Sequence, residues 1–212
     1  MPSRPLKLVK CSIMLQEPRL KKTLKTNEIC GRVAPEGILQ KVVRSTKPLV
    51  HTSFVTENYK DMSYVTKYCY GFIFETRAKP HCVIPFDLDF LDLLESYSFE
   101  MPDSSVKKII REFRFDSVDA MLAKYPKPED AKAKLARMVK SREIGSSDID
   151  SVLDDYNTEY EKFSHNEVIF ENKIKIKPLA FFGSKTPGIL KLYNIHTKLK
   201  IYPTALEGLK SV

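Results

Sequence analysis

Three lysines alternate with two isoleucines in "NKIKIKP", Asn172–Pro178. Successive side chains of a strand point to opposite faces, so Lys173, Lys175 and Lys177 would share one face, with Ile174 and Ile176 on the other. "KLKIYP", Lys198–Pro203, repeats the pattern: Lys198, Lys200 and Tyr202 share a face, with Leu199 and Ile201 turned inward. Such faces do electrostatic chemistry, a row of ammonium groups tracking a string of phosphates. Like charges directly opposite one another destabilise a sheet, so two adjacent lysine strands would call for a screening anion. Tyr193 and Tyr202 stand near these lysines, and Lys191 extends the set. Over 64–74 the even positions Tyr64, Tyr68, Tyr70, Phe72 and Phe74 form an aromatic stripe, while Lys67 and Arg77 fall on the opposite face. Single-stranded nucleic acid is held by this combination, with each stacked base worth roughly 1–3 kcal/mol. The expected nucleic-acid-binding residues are therefore Lys173, Lys175, Lys177, Lys191, Tyr193, Lys198, Lys200, Tyr202, Lys67 and Arg77. The same residues have plainer uses. Lysine and proline guard an exposed sheet edge, and aromatic stripes commonly fill a core.

Catalytic chemistry has weaker candidates. Asp87, Asp89, Asp92 and Glu95, with Glu75 and Lys79 upstream, could hold Mg²⁺ for phosphoryl chemistry, which makes a metal-dependent nuclease the distant alternative. Their spacing matches no motif with a mechanism, and the solvated face of a short helix explains them as well. His51, His81, His165 and His196 are isolated, and His81–Cys82 lacks metal-ligand spacing. "GSKT", Gly183–Thr186, matches only the end of a phosphate-binding loop. Cys11, Cys30, Cys69 and Cys82 form neither a C-x-x-C pair nor a disulfide framework. The expectation is a non-enzymatic protein with no catalytic residues, metal or cofactor.

Charge is distributed unevenly. The net charge of the 212 residues is +8. Residues 1–80 hold 15 basic and 6 acidic side chains, 81–103 hold 6 acids and no base, 104–165 hold 12 of each, and 166–212 hold 8 basic and 3 acidic. Both basic ends favour a polyanionic partner. The 42% hydrophobic and 29% charged content is that of a globular domain. No apolar run has the length of a secretory signal or a membrane span, so the expected setting is cytoplasmic or another reduced intracellular compartment, not secreted and without a membrane partner.

The elements that must position these residues fall in three blocks. Residues 1–100 read as β-rich, with "LKLVKCSIML", "EICGRV", "ILQKVV", "LVHTSFV", "SYVTKYCYGFIFETR" and "HCVIPF" as strands. Residues 104–163 read as a helical insertion. Val106, Ile109, Ile110 and Phe113 make one apolar face, Asp116 caps a second helix, a third runs over about 129–142, and a fourth follows Ser147. Residues 166–212 return to strands, with "EN" as a turn, Pro187–Gly188 as a type II turn and a hairpin around Asn194–Thr197.

These readings combine into an α+β fold with an antiparallel β-barrel-like, OB-like core built from the N- and C-terminal segments and split by helices. The function expected of it is sequence-tolerant binding of single-stranded nucleic acid. The alternative is a structural or interaction subunit of a larger assembly of virion or polymerase type. There the basic faces meet acidic neighbours and the helical segment docks a protein partner.

Overall fold

In the computed structural model, which describes residues 5–11, 17–33, 38–59, 71–86, 103–141 and 166–212, the N-terminal apolar run forms strand β1, Leu6–Cys11. Helix α1, Glu17–Thr26, follows and buries Leu20 and Thr23, three residues apart on one side. Asn27 takes φ 53°, in the left-handed region where Asn is tolerated, and the chain enters β2, Glu28–Cys30. Helix α2, Ile38–Val43, ends on Arg44 at φ 59° and leads to β3, Leu49–Thr52. Strands β4, Gly71–Thr76, and β5, Cys82–Ile84, are buried almost throughout.

The helical block is as its periodicity requires. Helix α3, Asp103–Phe113, buries Val106, Ile109 and Phe113, and its first turn carries Asp103, which suits the helix dipole. Ser117, rather than Asp116, caps α4, Val118–Lys124; its hydroxyl accepts a bond from the Ala120 amide. Helix α4 ends before Pro126, and Pro128 opens α5, Pro128–Lys140, because a proline without an N–H is tolerated in a first helical turn. Ala131, Leu135 and Met138 of α5 join Met121 of α4 in the core. Tyr59, fully buried, ties the loop after β3 to this block by donating its hydroxyl to the Tyr125 carbonyl at 2.8 Å. The expected fourth helix falls outside the described residues, as do Tyr64, Lys67, Tyr68, Tyr70, Asp87, Asp89, Asp92 and Glu95.

Past residue 166 come β6, Glu167–Glu171, β7, Lys173–Lys175, and β8, Lys177–Phe182. Asn172, at φ 60°, makes the turn between the first two. Helix α6, Thr186–Leu192, then leads to the two-residue strand β9, Ile201–Tyr202, and helix α7, Ala205–Ser211, capped by Thr204.

These strands make three open sheets in a mixed α+β arrangement, and the expected closed antiparallel barrel is not formed. One sheet has the order β1-β4-β8-β9, a second pairs β2 with β7, and a third has the order β3-β6-β5. The pairs are antiparallel except β8–β9, which is parallel. Short bridges, Val9 to Ser53 and Arg32 to Leu49, link the sheets without closing them. One large cluster holds most of the buried apolar residues. A smaller one, with Val9, Ile73, Ala180, Phe182 and Ala205, lies where α7 packs on the four-stranded sheet.

The C-terminal hairpin is the decisive misreading. Thr186–Leu192 is helical, with Pro187 and Gly188 inside it rather than in a type II turn. A helix between two strands carries the chain back to where it started, so β9 joins β8 parallel, and an antiparallel hairpin cannot form. "ILQKVV" fails likewise: a six-residue apolar run fits a buried helix as well as a strand, and here it is α2.

Candidate functional site

The two lysine stretches are not neighbours on one sheet. Lys173 and Lys175 lie in β7, exposed on either side of the buried Ile174, which faces Ile29 of β2. Lys177 opens β8 in a different sheet. Lys198 and Lys200 precede β9 in an irregular connection, and only Ile201 and Tyr202 enter the ladder.

Nor is there an exposed face combining these lysines with aromatic rings. Phe72 and Phe74 are fully buried, and Phe72 packs at a tilt on Phe181 with ring centroids 6.3 Å apart. Tyr193 and Tyr202 are half-buried, and Tyr202 packs against the smaller core cluster. Arg77 is exposed just past β4. Among the described residues the sheet surface expected to bind single-stranded nucleic acid is not formed, because the aromatic rings are buried and the lysine strands lie in different sheets. The aromatic residues served the core, which offers a ring far more contact area than a solvated strand face.

The first lysine stretch is offset in part by its own sheet neighbours, two acids against three lysines. Lys175 stands in register with Glu28, and Lys173 Nζ lies 3.3 Å from Glu28 Oε1. Lys177 stands in register with Glu75, with 3.8 Å between Nζ and Oε2. These two acids supply part of the screening for which a polyanion was expected, and Lys175 stays exposed without an ion pair among the described residues.

The second stretch is different. From Asn172 to Leu206 the sequence holds seven lysines and no Asp or Glu. Lys185, Lys191, Lys198 and Lys200, on α6 and its flanks, are exposed, and none has an anionic partner among the described residues. Helix α6 lies beside α1: Leu20 of α1 and Ile189 and Leu190 of α6 line one apolar crevice with Phe72 and Phe181. The crevice, of about 10 Å³, is far smaller than the roughly 300–1,000 Å³ usual for small-molecule sites, so it reads as imperfect helix-on-sheet packing. The outer side of α1 adds Arg19, Lys22 and Lys25, all exposed. Arg32 is held below its usual range by burial first and by the neighbouring Arg19 second, a sign of how closely positive charge is gathered there. The surface over α1, α6 and the α6–β9 connection is therefore basic and carries little compensating acid.

The structure also gathers a polar cluster that the sequence leaves scattered. Glu171 accepts hydrogen bonds from Ser45 Oγ at 2.6 Å and Lys47 Nζ at 2.7 Å, and His81 Nδ1 lies 3.5 Å away. His81 Nε2 lies 2.7 Å from the Val43 carbonyl, and His51 Nδ1 lies 3.0 Å from Glu167. Ser45 donates to the Glu171 carboxylate, which Lys47 also holds, so the carboxylate is a weakened base. Lys47 first, and Ser45 second, hold the Glu171 carboxyl below the usual range. Cys82, close by on β5, is fully buried, and burial pushes its thiol up to about 12, so it remains a protonated thiol rather than a nucleophile. The cluster fastens β6 to the segments after α2 and before β5. Among the described residues no three His, Cys, Asp or Glu side chains converge as a metal site, and no described helix is long and apolar enough to cross a membrane. Comparison of the chain with protein-family models, curated proteins and solved structures gives no match.

Proposed function

We propose that this chain is a non-catalytic interaction protein, a component that joins a larger assembly by setting the basic surface of α1, α6 and the α6–β9 connection against an acidic protein partner. One observation carries the reading: Lys185, Lys191, Lys198 and Lys200 are exposed without a described anionic partner, whereas Lys173 and Lys177 of β7 and β8 pair with Glu28 and Glu75 and leave only Lys175 between them without an ion pair. A cluster of like charge raises the energy of the isolated chain and lowers it in a complex that supplies carboxylates. The apolar faces of α3, α4 and α5 are buried in the core, which supports setting the partner against the C-terminal crossover and α1.

Poly-L-glutamate serves as the test probe, with a single-stranded oligonucleotide as competitor. Binding of poly-L-glutamate should weaken steeply with salt, since the screening length is about 8 Å at physiological ionic strength. It should be lost when Lys185, Lys191, Lys198 and Lys200 are together changed to Glu, and kept when Lys173, Lys175 and Lys177 are changed to Gln. Binding that survives the first set of changes overturns the reading. So does tighter capture of the oligonucleotide than of poly-L-glutamate through the same four lysines.

A further inference from the structure

The basic surface is also studded with apolar side chains. Among the described residues, the large hydrophobics left most exposed are Val33 and Leu192, each 72% exposed, and Ile201, 40% exposed. Two of these three fall in the one crossover that holds the four unmatched lysines. Leu192 is the last residue of α6 and follows Lys191; Ile201 opens β9 and follows Lys200. Ile201 stands in register with Phe181, so its side chain lies on the sheet face that α6 covers, at the outer edge of that cover. Single exposed aliphatics are ordinary on a protein surface. Here each follows a lysine, Leu192 at the end of α6 and Ile201 on the edge strand β9.

That edge has a defined polarity. Lys200 and Tyr202 carbonyls accept bonds from the Phe181 and Gly183 amides, at 2.8 and 2.9 Å. Backbone groups alternate sides along a strand, so the Ile201 N–H and C=O point away from β8. The ladder stops at once, because Pro203 has no N–H to offer. A long added strand is thereby excluded, and recognition must come from side chains. Lysines alone would hold any polyanion. Leu192 and Ile201 gain only from a partner that presents apolar side chains between its charges, which a phosphate backbone does not.

We infer that the α6–β9 crossover recognises a protein segment in which carboxylates alternate with large apolar side chains, the lysines at 191, 198 and 200 pairing with the acids while Leu192 and Ile201 take the apolar groups. This rests on the proposed function and names the chemistry of its partner. Charge complementarity identifies the occupant as acidic, and the exposed aliphatics identify it as amphipathic.

The test is a fluorescence-anisotropy titration of the whole chain with two labelled synthetic peptides. One interleaves Asp and Glu with Leu and Phe; the other has equal charge with Ser at the apolar positions. The first peptide should bind about tenfold more tightly or better, the margin expected of a buried apolar anchor. Leu192→Ser with Ile201→Ser should erase that margin and leave the weaker peptide's affinity unchanged. Both residues are exposed, so thermal melts of these variants should overlay the parent and show an intact fold. Equal binding of the two peptides, or a margin that survives the double change, overturns this inference alone. Binding of neither peptide overturns the proposed function beneath it.

Discussion

Lys173–Lys177 and Lys191–Lys200 look alike in sequence and do opposite things in the fold. In the first stretch each isoleucine is buried, and Lys173 and Lys177 meet Glu28 and Glu75 across the ladder. In the second, Leu192 is largely exposed and Ile201 partly so, and the lysines meet no described acid. One is a strand using its charges internally; the other is a surface with charge to spare. Alternation of lysine and aliphatic residues is thus ambiguous until the neighbouring strand is known.

The largest effect that would break the contrast is on stability. Ile174→Ala should cost about 3 kcal/mol in urea denaturation, because it empties a buried site opposite Ile29. Ile201→Ala should cost under about 0.5 kcal/mol. Equal costs would mean that the second stretch is as structural as the first.

Gly31→Ala should cost about 2 kcal/mol by the same measurement. A Cβ there would lie 2.7 Å from the Pro48 carbonyl carbon and 2.8 Å from the Asn172 oxygen and Leu49 nitrogen. All three are backbone atoms, and they hold the β2–β7 pair against β3 and β6, so little can move aside. Gly188→Ala in α6 meets nothing within 4 Å and should be neutral or slightly stabilising.

Ion pairing gives smaller effects. Lys173→Ala and Lys177→Ala should each cost no more than about 1 kcal/mol, shrinking further in high salt, since both ammonium groups are largely exposed. Lys198→Ala and Lys200→Ala should be neutral or raise the melting temperature slightly by easing repulsion.

Glu171 offers a pH-resolved check near the first stretch. Its folded pKa lies below the unfolded value, so its contribution is full above the ordinary carboxylate range, near pH 4.3. The contribution is lost as pH falls through the folded value. Glu171→Gln should therefore lower stability at neutral pH and flatten the stability profile on the acid side. An unchanged acid slope would show that the contacts with Lys47 and Ser45 carry no stability.

Much of the local structure was legible. The face of α3, the span of α5, the turn at Asn172 and the alternation within β7 follow from period and residue type. Helices α1, α2 and α6 were not. Each is short, and α2 and α6 carry apolar runs that suit either element, with burial on the sheet deciding for helix. The polar cluster around Glu171 was illegible for another reason: Ser45, His81 and Glu171 are far apart in the chain, and only the β3-β6-β5 register gathers them.

The sequence by itself determined that the chain is a mixed α+β protein, basic at both ends, with lysine outward and isoleucine inward over 173–176. These are consequences of composition and of side-chain geometry within single elements. The tertiary structure alone decided that the sheets stay open, that β9 runs parallel to β8, and which lysines have acids beside them. Those outcomes depend on which strands meet, and strand pairing is a long-range choice made by burial of Phe72, Phe74 and Phe181 together, which no local pattern encodes.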